Sequence, residues 1–483
     1  MLKHKWFYLI LFSLSGCVNY SGIHHKQYIA SPSQFKTQKS LTAKGGQWPT
    51  LNWTQQFGDP QLSALVNQAM LYNFDIKTAE ARLTQARAVV DGKNAALLPQ
   101  INFLALVSRY KAPIPLGNGW QTMGLSALNF DYEIDFWGKN YSSLTQALSQ
   151  EKVSQASLYE IQLMIATMIA SAYSDLDYEY ALVDLLRKTV IQRKSLDKIT
   201  QVRVTSGLGT KVELYQSKNL YATAQTQLVA AEGQIIITRQ QLGTLLGLGP
   251  DQGFQIKRPR LNRSPIPKLP DNLPLNLLGR RPDVVAARWQ IEAALSGVKH
   301  VKARFYPDVN LLAVAGFLSF DLNRLFRTSN ELIAATPAVR LPVFDAGVLR
   351  AQLKGQYGIL DEQISIYNAT LNKALGDIAQ QLSSIKSIEK QLLVQQNALF
   401  TAKQAYDVSI QQYQIGLNSQ IVVLDAQTRY LEEQRSHLLL IKSRRELQIS
   451  LIKALGGGFN EHMLTTPRTT ATPNYILKKD VHG

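Results

Sequence analysis

The amino-acid sequence predicts an α+β membrane protein in which one long unit occurs twice. Three observations support this fold class: an internal repeat, two pairs of strand-like segments long enough to cross a bilayer, and two long stretches without proline. Residues of the first unit recur in the second at a nearly constant offset, as in the pairs Asp75/Asp283, Ala79/Ala287, Pro99/Pro307, Gly207/Gly416 and Leu246/Leu455. A slip of only one residue over the whole unit indicates a duplicated supersecondary structure.

Composition narrows the class further. At 483 residues the chain is longer than one ordinary hydrophobic core organises. A mean hydropathy of −0.11 excludes a polytopic helical membrane protein. The net charge of +17 fits a solvated basic surface, an anionic lipid surface or an anionic cargo. The cations are evenly spread and accompany no helix-turn-helix, zinc or RNA-binding signature, so we expect no nucleic-acid partner.

The N-terminus predicts export and lipidation. Residues 1–16 combine a basic start with a short apolar run, which is typical of a signal peptide. Leu14-Ser15-Gly16-Cys17 resembles the lipobox of bacterial lipoproteins, and this resemblance implies cleavage before Cys17 and acylation of its thiol. An ordinary secretory signal with a chance cysteine is the alternative. Val18, where an aspartate would indicate inner-membrane retention, favours the outer membrane. The polar residues 17–52 are the expected tether.

The first unit is expected at residues 53–249. Its predicted elements are a helix that starts at Asp59-Pro60, a helix at about 75–97, strands at 101–110 and 121–134, a long helix at 139–206 and a returning helix to about Leu246. Residues 139–206 contain neither proline nor glycine, so they predict one helix of roughly 100 Å. A helix of that length must pack along others like itself to bury its apolar stripe.

The second unit is expected at residues 275–458, and a Pro-rich linker at 250–274 joins it to the first. Its strands are predicted at 309–320 and 332–344. All four strands are long enough to cross a bilayer, but their alternation is imperfect, so a soluble sheet remains the alternative. Residues 459–483 are predicted to be a disordered tail.

Two glycines mark the predicted tips of the helical hairpins. Gly207 and Gly416 each end a long helix, and Thr210 and Ser419 follow as N-cap candidates for the returning helices. Both tips therefore predict a tight turn between two antiparallel helices.

Four motifs stand out along the chain: Phe57-Gly58-Asp59-Pro60, Arg281-Pro282-Asp283-Val284, Leu341-Pro342-Val343-Phe344-Asp345-Ala346-Gly347 and Leu424-Asp425-Ala426-Gln427. Together they resemble the TolC-type outer-membrane efflux factors, and the lipobox points to their lipoprotein branch, the OprM/NodT type. The resemblance implies a trimer in which each chain gives four strands to one 12-stranded outer-membrane β-barrel. A long periplasmic α-helical barrel would continue it. The implied location is the cell outer membrane, lipid-anchored, with a large periplasmic extension.

The resemblance also implies a function and partners. It implies the outer-membrane channel of a tripartite efflux system, which passively conducts drugs or other small molecules. The implied partners are two further copies of the chain in a homotrimer, a periplasmic adaptor (membrane fusion protein), an inner-membrane pump of the RND type and outer-membrane lipid. A duct for type I protein secretion is one alternative. A lipid-anchored periplasmic coiled-coil scaffold without a pore is an alternative from a different class.

The resemblance implies a gate at the periplasmic end. Asp425 matches the aperture aspartate of the family and would form a ring of negative charge in a trimer. Glu213 and Tyr413 match positions of inter-helix gate partners. Val422 and Asn418 depart from the TolC pattern, which has an aspartate and an arginine there, so packing by Val422 is expected to replace a second charge ring. A solvated carboxylate at Asp425, and ordinary surface or packing roles for Glu213 and Tyr413, are the alternatives.

Motifs of enzyme chemistry are absent from the sequence. None of the seven histidines has the spacing of a zinc site, and there is no Walker loop and no Gly-x-Ser-x-Gly. We therefore expect no enzymatic activity, no cofactor, no metal and no intrinsic energy source.

Overall fold

The computed structural model describes residues 20–31, 34–37, 39–41, 45–112, 119–262 and 277–464. The predicted signal peptide, the lipidation site Cys17, the second half of the predicted linker and residues 465–483 of the predicted tail lie outside the described residues.

The two halves of the chain follow the same order of helix, hairpin, long helix and returning helix. The first half contains α1 (Pro60–Tyr72), α2 (Phe74–Ala95), β1 (Gln100–Ala112), β2 (Gly119–Ile134), α3 (Lys139–Thr205) and α4 (Lys211–Leu245). The second half contains α5 (Pro282–Ala303), β3 (Asp308–Ser319), β4 (Glu331–Arg340), α6 (Val348–Gln414) and α7 (Gln420–Ala454). Only α1 has no counterpart among the described helices of the second half.

The long helices have matching lengths. α3 and α6 contain 67 residues each, and α4 and α7 contain 35 each. At 1.5 Å per residue, α3 and α6 are about 100 Å long. Gly138 and Gly347 precede them with φ of 68° and 88°, a left-handed conformation that glycine adopts without steric cost. The strands therefore join each long helix through a sharp change of direction.

The predicted strand bounds agree with the structure to within two residues, except at the end of β4. β4 ends at Arg340, so the prediction of a strand to residue 344 is wrong. Pro342 has no backbone N–H and cannot donate to a strand ladder. The chain then turns, and Asp345 accepts hydrogen bonds from the backbone N–H of Gly347 (2.9 Å) and Leu349 (2.7 Å).

The four strands form one antiparallel sheet in the order β1-β2-β3-β4, so β1 and β4 are its two edges. Ile101 pairs with Phe130, which pairs with Ala313, which pairs with Ala335. Residues paired in this way share one face of the sheet. We call this side the apolar face: it contains Ile101, Phe103, Val107, Leu128, Phe130, Leu311, Ala313, Ala315, Ile333 and Val339.

The two faces of the sheet differ in chemistry. Polar side chains lie on the opposite face, including Asn102, Asn129, Asp131, Glu133, Asn310 and Arg340. The charged residues on the side of the apolar face are Arg109, Lys111 and Glu331, all at the end of the sheet remote from the long helices. Large apolar side chains are well exposed there, with Phe103 at 66% and Ile333 at 79%. The register thus resolves an imperfect alternation into one face suited to lipid.

Aromatic side chains lie at both ends of the sheet. At the end next to the long helices, Trp137 stacks on Tyr306 with ring centroids 4.6 Å apart. At the other end the guanidinium of Arg109 lies 5.6 Å from the ring centroid of Trp120. Trp and Tyr in such positions are typical of membrane–water interfaces.

Each half of the chain has its own hydrophobic core, formed between the helices. Phe57 packs with Tyr173 in the first core, and Ile291 packs with Leu371 in the second. The predicted helix start at Asp59 is confirmed, since its carboxylate accepts hydrogen bonds from Gln61 N (3.0 Å) and from the Tyr173 hydroxyl (2.7 Å). Tyr173 therefore connects the N-cap of α1 to the first hydrophobic core.

The chain on either side of these cores also packs against the long helices. Residues 20–31 run beside α6, where Asp361 accepts hydrogen bonds from the backbone N–H of Lys26 and of Gln27, both at 2.8 Å. The predicted tether is therefore docked over this stretch. The prediction of a disordered tail from residue 459 is wrong for residues 459–464, because Phe459 and Leu464 are buried in a cluster with Ala156 and Val285.

Polar side chains join the two helical hairpins along the contact between α3 and α7. We call these pairs the polar seam: Thr200–Gln420, Arg193–Thr428, Gln192–Gln427, Asp177–Arg445 and Asp175–Lys442. Buried polar groups need such partners, because an unpaired group costs its desolvation energy. The seam therefore fixes the register of one hairpin against the other.

A buried carboxyl group lies beside the polar seam. Glu179 is 7% exposed, and its Oε1 accepts a hydrogen bond of 2.7 Å from the Thr238 hydroxyl of α4. Burial raises the pKa of Glu179 to about 7, and the charge of Asp175 adds to this, although Thr238 and Lys442 act in the opposite direction. The ionised form is therefore disfavoured in the folded state.

We predict that Glu179→Gln stabilises the protein at neutral pH. The folded pKa of about 7 lies above the ordinary value of 4.5. The folded state therefore binds more protons between these values, and stability falls as pH rises through this window. Above pH 7 the free energy of unfolding of the glutamine variant should exceed that of the wild type by on the order of 2 kcal/mol. Below about pH 4.5 the two should be equal.

Thermal unfolding of the purified protein from pH 4 to 8 measures this difference. Glu232→Gln is the matched control, because Glu232 is an exposed partner of Arg187 on the neighbouring helix. A pH-independent difference between Glu179→Gln and the wild type would contradict the assignment.

Candidate functional site

The two helical hairpins end in equivalent turns. Gly207 has φ of 73° and Gly416 has φ of 80°. Leu208 N donates to Arg203 O, and Leu417 N donates to Gln412 O, both at 2.8 Å. This is the Schellman motif, in which a left-handed glycine lets the chain satisfy the last carbonyls of a helix. Both predicted tips thus occur where expected, at the ends of the hairpins remote from the sheet.

The first tip is closed by a capping box. Thr210 N donates to Glu213 Oε2 (2.9 Å), and Glu213 N donates to Thr210 Oγ1 (3.2 Å). Ser419 occupies the equivalent N-cap position of α7 but makes no side-chain cap hydrogen bond. Within this chain the Glu213 carboxylate is therefore a local cap, and its predicted role between helices stays a proposal.

Tyr413 makes a contact between helices through its ring rather than its hydroxyl. The guanidinium of Arg203, at the end of α3, lies 5.3 Å from the Tyr413 ring centroid. The Tyr413 hydroxyl is buried and has no hydrogen-bond partner in the part of the chain that the structure describes. Arg203 also donates to Leu208 O at 3.3 Å, so it ties the first tip to α6. No local spacing relates Arg203 to Tyr413, so the sequence alone does not identify Arg203 as a residue of this contact.

Asp425 is exposed on α7 and is paired within its own helix. Its Oδ2 accepts a 3.0 Å hydrogen bond from Arg429 Nε. The same bond raises the pKa of Arg429. The Asp425 carboxylate therefore does not stand alone, and any ring that it forms contains an arginine beside each aspartate. The sequence alone could have indicated this ion pair, because Asp425 and Arg429 are four residues apart on a predicted helix.

Val422 lies on the exposed side of the second tip. It is 44% exposed and its neighbour Ile421 is 55% exposed, whereas Val423 and Leu424 are buried. Gln420 at the start of α7 donates to the Thr200 hydroxyl of α3, so the polar seam reaches the tips. The structure thus gathers Glu213, Tyr413, Asp425 and Val422 near the hairpin ends without connecting them to one another by hydrogen bonds among the described residues.

Metal sites and membrane-spanning helices are both absent from the described ranges. No group of three or more His, Cys, Asp or Glu side chains there could hold a metal ion. No described helix is both long and apolar enough to cross a membrane.

A sheet with an apolar face, next to paired helices of about 100 Å that end in tight polar turns, defines the class of outer-membrane channel subunits. The chain belongs to the outer membrane efflux protein family, whose model matches residues 65–248 and 273–457. It is a TolC-type efflux channel, as the relatives and solved structures below also indicate.

Curated relatives and one solved structure support this membership. The fusaric acid resistance protein FusA of Burkholderia cepacia is 36% identical over 317 residues, which cover 63% of this chain and 59% of that protein. The multidrug resistance outer membrane protein MdtP of Escherichia coli K12 is 28% identical over 92% of this chain and 94% of its own. The crystal structure of the outer membrane protein VceC of Vibrio cholerae has a TM-score of 0.80 and 32% identity, covering 86% of this chain and all of that one.

We predict that Thr210→Ala loosens the first tip. Loss of an N-cap side chain costs about 1 kcal/mol, so the amides of residues 211–214 should exchange about fivefold faster. Hydrogen exchange with mass spectrometry measures this rate. Ser419→Ala is the matched control in the other hairpin, because Ser419 makes no side-chain cap bond. Equal acceleration in the two variants would contradict the capping box.

Proposed function

We propose that three copies of this chain form the outer-membrane duct of a tripartite efflux system, which conducts small molecules passively. The observation that supports this most directly is the sheet, whose apolar face suits lipid and whose edges are β1 and β4. Hydrocarbon offers no hydrogen-bond partner to an open edge strand. Four strands are too few to close a barrel, and the smallest bacterial barrels have about eight. Pairing of β4 with β1 of the next copy removes every edge, and three copies give 12 strands.

The long helices support a tunnel that continues this barrel. α3 and α6 run for about 100 Å, and the polar seam holds the two hairpins of one chain side by side. A closed ring of such hairpins from three chains would extend the lumen across the periplasm. The large exposed apolar side chains along the helices, such as Val394 at 69% and Val229 at 68%, support burial between neighbouring copies.

The hairpin tips are the proposed contact with a periplasmic adaptor. They expose equivalent apolar residues, Leu208 at 70% and Leu417 at 73%. Apolar side chains in equivalent positions of both halves would give a trimer six similar contacts. The sequence has no nucleotide-binding motif, so a partner would have to supply the energy. The proposed partner for this role is an inner-membrane pump of the RND type. The names of MdtP and FusA support drugs and small organic acids as cargo.

Lipid anchoring at Cys17 is supported by the path of the chain that follows it. Tyr20 packs edge-on against Phe305 with ring centroids 5.7 Å apart, and Phe305 lies just before β3. Three residues of extended chain reach at most about 11 Å. The acyl chains of Cys17 would therefore start close to the end of the sheet that lies next to the long helices.

Current through planar bilayers tests the duct and its aperture. We predict that Arg429→Gln raises the cation preference severalfold, because it leaves the Asp425 carboxylate uncompensated. Asp425→Ala should lower the preference, and the double variant should stay near wild type. Glu80→Ala is the control, since it breaks an exposed ion pair with Lys77 far from the tips.

Three outcomes would contradict these assignments. Unchanged selectivity in both single variants would show that Asp425 does not line the constriction. Absence of any conductance, together with extraction as a water-soluble monomer, would favour the pore-free scaffold. Recovery of an ABC-type exporter and its protein substrate in a pull-down with this protein would favour type I secretion.

We predict that Cys17→Ser carries no acyl chains and still forms heat-resistant trimers, because the barrel itself holds the protein in the membrane. Intact mass spectrometry and unheated gel electrophoresis measure the two effects. An unchanged mass would mean that the thiol is not acylated, and a complete loss of trimers would show that the lipid is needed for insertion.

A further inference from the structure

A cavity of about 300 Å³ lies where α3, α4 and α7 meet. Its volume is at the lower end of the range of about 300–1,000 Å³ for small-molecule sites. The cavity is distinct from the tips, since its lining residues on α3, α4 and α7 lie about three helical turns or more from Gly207 and Gly416. Both helical hairpins contribute to it, so an occupant would contact the two together.

Arg193 forms the floor of the cavity. Only 4% of this residue is exposed. Its Nη2 donates to the Thr428 hydroxyl of α7 at 2.8 Å, whereas its Nη1 is buried without a hydrogen-bond partner in the described part of the chain. No carboxylate among the described residues lies within ion-pair distance of this guanidinium. The cavity therefore has a charged donor that the chain itself leaves partly unsatisfied.

A buried guanidinium without an anion is costly. Burial lowers the pKa of Arg193, yet an arginine side chain stays protonated in proteins. Buried charges in proteins are normally paired, so an unpaired one is a candidate for completion by a ligand or a partner. A planar guanidinium matches the oxygens of a carboxylate or a phosphate, and such charge-assisted bonds are stronger than neutral ones.

The walls of the cavity are mainly apolar, with Thr189 and Gln227 as further polar lining residues. Five half-buried leucines surround the floor: Leu182, Leu185, Leu186, Leu220 and Leu431. The rim is polar and exposed, with Thr223 on α4 and the oppositely charged Glu432 and Arg435 on α7. This arrangement suits an aliphatic chain that lies along the leucines and ends in an anionic group at Arg193.

We propose that this cavity binds a small amphipathic anion, a carboxylate or a phosphate on an aliphatic chain, with its headgroup on Arg193. The bound anion accepts the hydrogen bond that Nη1 cannot give to the chain. Because α3, α4 and α7 all line the cavity, the ligand stabilises the contact between the two hairpins. This site does not depend on the proposed conduction, and its test needs no current measurement.

Binding of decanoate to the full-length protein in amphipol, free of detergent, tests the proposal by calorimetry. Decanoate should bind and raise the thermal midpoint. Decanol, which has the same chain without the charge, should bind at least tenfold more weakly. Decyl phosphate distinguishes the headgroups: tighter binding than decanoate assigns the site to a phosphate, and weaker binding assigns it to a carboxylate.

Variants locate the binding. Arg193→Gln should weaken decanoate binding by about 10- to 100-fold, the range for one charge-assisted hydrogen bond. Arg187→Gln is the matched control on the same helix, because Arg187 is exposed and pairs with Glu232 outside the cavity. Thr223→Trp should also weaken binding, because an indole at the exposed rim blocks the mouth without changing the floor. This variant tests the site independently if Arg193→Gln unfolds.

Three outcomes would overturn the proposal. Equal decanoate affinity in the wild type and in Arg193→Gln would show that the guanidinium is not the anion site. Decanol binding as tight as decanoate would show a purely apolar groove. Failure of the wild type to bind decanoate and decyl phosphate would show that the cavity is not a site for amphipathic anions.

Discussion

Every backbone N–H and C=O group of the four-stranded sheet needs a hydrogen-bond partner, and the rest of the architecture follows from this requirement. Each strand is long enough to cross a bilayer, and the register gathers apolar side chains on one face. In hydrocarbon a strand edge has no water to bond to, so β1 and β4 must be paired by further strands. The described residues contain no further strand of this sheet, since their other elements are helices and turns. In the proposed trimer, neighbouring copies would supply the missing strands, and the duplication doubles the number of strands that each copy contributes.

The helical layer obeys a different physical rule. Near the sheet and midway along the helices, each half has a hydrophobic core that fixes it as a rigid body. Between the hairpins, Ile449 and Ile452 of α7 join the hydrophobic core of the first half, and the polar seam connects α3 to α7. Polar pairs are directional and can exchange partners with water at modest net cost. Because these pairs are directional, they hold the two hairpins in one register.

The helix-turn tips illustrate how a resemblance between sequences can fix a position without fixing a contact. Glu213 and Tyr413 lie near the tips as expected, but Glu213 caps its own helix and Tyr413 meets Arg203 through its ring. Asp425 is exposed as a channel-lining carboxylate should be, yet Arg429 compensates its charge. The charge near the tips is therefore set by the pair Asp425–Arg429 rather than by Asp425 alone.

The sequence by itself determined the duplication, the four strands, the two long helices and the two glycine turns. These follow from local rules: proline and glycine stop helices, glycine adopts left-handed turns, and hydrophobic periodicity marks an element. Only the tertiary structure decided which sheet face is apolar, since that requires the register of four strands. It also decided the packing of Phe459 and Leu464, the seam between α3 and α7, and the isolation of Arg193 from any described carboxylate. Each of these depends on contacts between residues far apart in the chain, which no local pattern records.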